Sequence, residues 1–80
     1  MCRSIHTLYH IEPPASAEEI HAASLQFVRK ISGYHKPSKN NETAFSNAVD
    51  EIEAVVNRLL ASLHTDAPAR ERITLVSTSK

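Results

Sequence analysis

The sequence predicts an all-α fold, an antiparallel helical hairpin with helices at about 17–32 and 39–64. Three observations carry that prediction. Between residues 41 and 63, Phe45, Val49, Ile52, Val56, Leu59 and Leu63 follow one another at steps of four, three, four, three and four, which places them on one side of a helix. Ser16 and Glu19 have the S-x-x-E spacing of a capping box, and the only glycine, Gly33, follows the apolar run that begins there. The segment between the two helices, residues 33–40, is short, and short connections join antiparallel neighbours.

The longer helix carries its own account of inside and outside. Ala48, Val55 and Leu60 widen the apolar seam into a face, while Thr43, Asn47, Asp50, Glu51, Ala54, Asn57, Arg58 and Ala61 lie opposite. One face wants a partner and the other wants water. In the first helix, Ile20, Ala23, Ser24, Phe27, Val28 and Ile31 share a face with Leu25 at its edge, and Glu18, Ala22, Gln26, Arg29 and Lys30 lie on the other. Facing seams then make the core, with Ile20, Phe27 and Ile31 as the first helix's contribution. Arg29 and Lys30 near the end of this helix suit the negative end of its dipole. Ser38, Asn40 or Asn41 each qualify as the cap of the second helix.

A two-helix face is wider than one partner covers, so the N-terminal Ile5, Leu8, Tyr9 and Ile11 are expected to form a third layer, unless a second copy does so. Their spacing suits a short helix, and the alternation of Ile5, Thr7, Tyr9 and Ile11 suits a strand equally well. Glu12-Pro13-Pro14 ends either one, because prolines remove donors and push the preceding residue out of the helical region. Beyond Leu63, the run His64-Thr65-Asp66-Ala67-Pro68 breaks the second helix. Residues 1–68 therefore form a single small domain and 69–80 a partly disordered tail, in which 69–72 add a short turn and Ile73-Thr74-Leu75-Val76 is β-prone, open to packing, to pairing with the N-terminus or to fraying.

Composition limits the function classes. A chain of 80 residues sits near the size at which one core supplies only a few kcal/mol, so a marginal monomer or a homodimer is expected. Nine acidic residues balance nine basic ones, which leaves no strong overall field to hold nucleic acid or anionic lipid. The single Cys2 excludes an internal disulfide, and with no long apolar run the chain reads as cytoplasmic and without a membrane span. One glycine cannot build a phosphate-cradling loop. Asp50, Glu51 and Glu53 fall on or beside a solvated face, and Ser38 with His35 has no acid to complete a triad. The expected protein is not an enzyme and needs no cofactor.

Charge nonetheless alternates along the chain. Residues 12–19 hold three acids and no base, residues 20–41 hold Arg29, Lys30, Lys36 and Lys39 and no acid, and residues 42–64 return four acids against Arg58. The basic turn is thus the candidate contact surface, with Arg29, Lys30, Tyr34, His35, Lys36 and Lys39 meeting an acidic patch on a protein partner. Nucleic acid is the alternative occupant of the same turn. A third reading uses Cys2, His6 and His10, whose i, i+4, i+8 spacing aligns a thiolate and two imidazoles as zinc ligands on either a helix or a strand.

Two resemblances accompany these residues. The order Ala15-Ser16-Ala17-Glu18-Glu19-Ile20, amphipathic helix, and Tyr34-His35-Lys36-Pro37-Ser38-Lys39-Asn40 before a helix resembles the J-domain of Hsp70 co-chaperones over about residues 8–56. The His-Pro-Asp triplet which that family uses on Hsp70 is interrupted here: Lys36 separates His35 from Pro37, and Ser38 stands in the aspartate's place. What that resemblance implies is a J-domain-like outline without a working co-chaperone. The Met-Cys-Arg start, Leu25-Gln26-Phe27-Val28-Arg29-Lys30-Ile31-Ser32-Gly33, Lys36-Pro37-Ser38 and Phe45 are similar to a family of small uncharacterised bacterial proteins. That similarity implies a bacterial source and carries no activity with it.

Overall fold

The computed structural model describes residues 5–71. In chain order it contains strand β1 (Ile11–Glu12), helix α1 (Ala17–Ser32), a 3-10 turn (Lys39–Asn41), helix α2 (Glu42–Ser62) and strand β2 (Arg70–Glu71).

Helix α1 has the predicted bounds because both of its ends are chemically closed. Ser16 is extended and its Oγ accepts from the Glu19 N–H (3.1 Å), while the Ser16 N–H donates to Glu19 Oε1 (2.8 Å). At the other end Gly33 adopts φ 81°, and its N–H donates to the Arg29 carbonyl at 2.9 Å. A Cβ there would meet open space, so the left-handed backbone alone is what favours glycine. Glu18 and Glu19 in the first turn and Arg29 and Lys30 in the last match the helix dipole.

Helix α2 is one regular element of 21 residues, but its ends differ from the expected 39–64. Lys39–Asn41 forms a 3-10 turn instead of α-helix, and the helix stops at Ser62 with an extended Leu63 as its C-cap. Asn41 stands at the N-cap without a side-chain cap; its Nδ2–H donates instead to Ser38 Oγ at 2.9 Å. The amide is spent on tightening the turn, and the α-helical ladder starts after it.

The two helices pack against each other over their length. Ile20 lines one groove with Asn57 and Leu60, Leu25 a second with Val49 and Asp50, and Ile31 a third with Ala44 and Phe45, while His21 bonds Glu53. The buried apolar side chains are Ile11, Ile20, Val28 and Val49, and Ser24 is buried among them, its Oγ–H returned to the Ile20 carbonyl at 2.9 Å. The third layer is partial: Ile11 is buried, Leu8 and Tyr9 are half-buried, and Ile5 is exposed.

Two expectations need correction. The fold is mostly helical but not all-α, because β1 and β2 pair in parallel, Ile11 with Arg70 and Glu12 with Glu71. Of the two forms open to the N-terminal segment the strand is present, at Ile11–Glu12, and the pairing takes the place of the turn expected after residue 69. The Arg70 N–H donates to the His10 carbonyl (2.9 Å), and His10 Nε2–H donates to the Ala67 carbonyl (2.9 Å). The ladder stops at Glu12 because Pro13 has no N–H to continue it. The second correction concerns the core. Phe27, Ile31, Leu59 and Leu63, all assigned to facing seams, are exposed, as is Val55. Each helix turns only part of its apolar arc toward the other, and the rest faces outward. The β-prone residues 73–76 lie outside the described residues.

Candidate functional site

The basic turn is held by side chains at both of its ends and by one backbone hydrogen bond. After Gly33, the Tyr34 N–H donates to Ser32 Oγ (3.1 Å), and Arg29 reaches across from the last turn of α1, its Nε–H donating to the His35 carbonyl at 2.9 Å. Asn41 closes the other side, donating to Ser38 Oγ and, at 3.4 Å, to the Tyr34 hydroxyl. The Asn41 N–H donates to the Ser38 carbonyl at 2.9 Å. These contacts fix the path of the loop from both helices.

The six sequence-predicted residues therefore divide. Arg29 is half-buried and committed to the turn, where it holds the His35 carbonyl. Lys30, His35, Lys36 and Lys39 are exposed, and among the described residues none of them has an ion-pair partner. Tyr34 is exposed too, and its ring borders the apolar groove at the foot of the turn. Lys30, Tyr34, His35, Lys36 and Lys39 are thus exposed on or next to the turn, and Arg29 is bonded to its backbone.

Two grooves flank the helix pair. One is lined by Phe27, Val28 and Ile31 of α1, Tyr34, and Ala44, Phe45, Ala48 and Ile52 of α2, with a volume of about 350 Å³ and walls that are almost wholly apolar. The other is lined by His21, Leu25, Pro37, Glu42, Phe45, Ser46, Val49 and Asp50. Phe27 and Leu25, two residues apart, project about 200° from one another on a helix, so the grooves lie on opposite sides. On the polar side His21 Nδ1–H donates to Glu53 Oε1 at 2.9 Å and ties α1 to α2. Sequence reasoning did not find this pair: the two residues stand 32 positions apart and neither belongs to a motif.

The zinc reading places Cys2 outside the described residues. His6 Nδ1–H donates to the Thr7 carbonyl (3.1 Å), and His10, in a turn with φ 55°, spends Nε2–H on Ala67. Neither residue lies on a helix, and among the described residues no three His, Cys, Asp or Glu side chains stand close enough to hold a metal ion. Among the same residues no helix is long and apolar enough to cross a membrane.

No curated protein and no solved structure matches this chain. A family model does, over residues 1–77, and its description is "Uncharacterized conserved protein (DUF2277)". With nearly the whole sequence matched, the chain belongs to the DUF2277 family of uncharacterised conserved proteins.

Proposed function

We propose that this protein is a non-enzymatic helical interaction module that binds an acidic surface on a protein partner through the turn between its helices. The observation that carries the reading is the pinned turn: Lys30, His35, Lys36 and Lys39 are exposed without ion-pair partners among the described residues, while Arg29 and Asn41 hold the backbone beneath them. A turn whose backbone is already held loses little backbone freedom on binding, which is the advantage of preorganisation. In this reading α1 and α2 are the two arms of an antiparallel hairpin; the order in which their residues line shared grooves, Ile20 with Leu60 at one end and Ile31 with Phe45 at the other, supports it. A bacterial cytoplasm is the setting it assumes.

Affinity capture from the native cell with the wild-type chain and with Lys36→Glu tests the proposal. The expected result is a protein retained by the wild type and lost by the variant, with the far-UV circular dichroism of both chains the same. Equal retention overturns the role of the turn. Retention of a nucleic acid, with an affinity that falls steeply with salt, would replace the protein partner by a phosphate backbone. The J-domain-like outline makes a separate prediction: because His35 and Pro37 are split by Lys36, the chain does not stimulate Hsp70 ATP hydrolysis, and measurable stimulation would restore the co-chaperone reading.

A further inference from the structure

The outward face of α2 is more regular than a leftover surface needs to be. Phe45, Ala48, Ile52, Val55, Leu59 and Ser62 follow one another at steps of three, four, three, four and three, the repeat of a coiled-coil seam. Val55 is 52% exposed and Leu59 51%, while Phe45, Ala48 and Ile52 are only half-buried, along the apolar groove. Among the described residues, α1 covers the Phe45, Ala48 and Ile52 part of this strip only in part, and Val55 and Leu59 stand open. We propose that its occupant is the same strip of a second copy, packed antiparallel in a two-fold homodimer.

The argument is self-complementarity in size and in charge. Setting Ile52 opposite Val55 of the copy sets Ala48 opposite Leu59 and Phe45 opposite Ser62, so that each large side chain beyond the centre meets a small one. A parallel pairing would instead set Phe45 against Phe45 and Ala48 against Ala48, overfilling one layer and leaving a void in the next. The positions just before Ile52 and Leu59 flank the seam on its solvent side, and they are Glu51 and Arg58. In the antiparallel register Glu51 of each copy stands across from Arg58 of the other, giving two ion pairs from one symmetric arrangement. Both residues are exposed and, among the described residues, neither has an ion-pair partner within the protomer. The same register brings the end of the copy's helix past Phe45 toward the mouth of the groove beside Ile31, which is otherwise 71% exposed. A foreign helix could match the apolar strip; the reciprocal charges and alternating sizes single out another copy.

Small domains with few buried residues commonly gain their missing cover by association, and this core has four buried apolar side chains among the described residues. The dimer leaves the basic turn free, so Lys36→Glu should not dissociate it.

Sedimentation equilibrium on the full chain tests the proposal. The wild type is expected to be a dimer, with Glu51→Arg or Arg58→Glu alone weakening the dimer by about ten-fold or more, since each replaces two attractions by two repulsions. The double variant Glu51→Arg with Arg58→Glu restores the wild-type affinity, because the exchange is reciprocal. Circular dichroism of all three variants should retain the helical signal, which separates lost association from lost folding. A wild-type chain that stays monomeric at concentrations up to about 0.1 mM overturns the dimer. A dimer that ignores the single reversals, or that the double variant fails to rescue, overturns this register.

Discussion

Helices α1 and α2 reach stability by different routes, and the difference shows what an apolar stripe does and does not report. The shorter helix, α1, buries Ile20, Ser24 and Val28 and is closed at both ends, by the Ser16 and Glu19 box and by the left-handed Gly33. The longer helix, α2, has the more regular stripe yet buries only Val49, has no side-chain cap at its start and no base in its last turn. Periodicity says that a face needs cover. It does not say that the same chain provides it. In α2 the arc toward α1 carries Val49, Val56 and Leu60, while Val55 and Leu59 point away.

A carboxylate placed on each arc of α2 in turn should have opposite outcomes. Val49 is 4% exposed, so Val49→Asp puts an unpaired charge into the core at a cost of about 3 kcal/mol or more, a large share of a small domain's stability. Thermal melting followed by circular dichroism should show little or no cooperative transition. Val55→Asp, on the outward arc, should keep the protomer's helical signal at room temperature. If both variants unfold alike, the outward face is core and the contrast between the arcs is wrong.

Those two arcs also mark how far the sequence could be read. Both helices, the capping box and the Gly33 stop were legible because each is a local pattern: spacing, a hydroxyl three residues before a carboxylate, one glycine after an apolar run. The parallel pairing of Ile11–Glu12 with Arg70–Glu71 was not, since two-residue strands have no period and Arg-Glu has no strand preference to announce them. Nor was the exposure of Phe27 and Ile31 legible, because it depends on where two helices cross. In the basic turn the residue types were visible from the sequence, whereas the division between Arg29 as strut and the lysines as free charges needed the Arg29 to His35 contact.

The contrast between capped and uncapped starts predicts a smaller effect. Ser16→Ala removes an acceptor that satisfies the Glu19 N–H and should destabilise the fold by about 1 kcal/mol. Asn41→Ala occupies the equivalent position in α2 but removes no cap, only the contacts to Ser38 and Tyr34, so a loss of about 0.5 kcal/mol is expected. Denaturant unfolding of the two variants reads the difference directly. An Asn41→Ala penalty as large as that of Ser16→Ala would mean that the 3-10 turn stabilises the start of α2 as effectively as a true cap.

The smallest effect is expected where the two helices are visibly tied, at His21 and Glu53. The 2.9 Å contact is the shortest side-chain link between α1 and α2 among the described residues, and it invites the inference that it holds the pair together. Its surroundings argue otherwise. The His21 side chain is 53% exposed, so water competes for the same hydrogen bond, and pairs in that setting contribute about 0.5 kcal/mol. A double-mutant cycle with His21→Ala and Glu53→Ala should give a coupling of that size. A coupling above about 1.5 kcal/mol would assign the polar side of the helix pair a share of the stability that burial now gives to Ile20, Val28 and Val49. A coupling of about 0.5 kcal/mol is roughly a two-fold preference, so the choice of which turn of α1 meets which turn of α2 falls to the buried Ile20, Val28 and Val49.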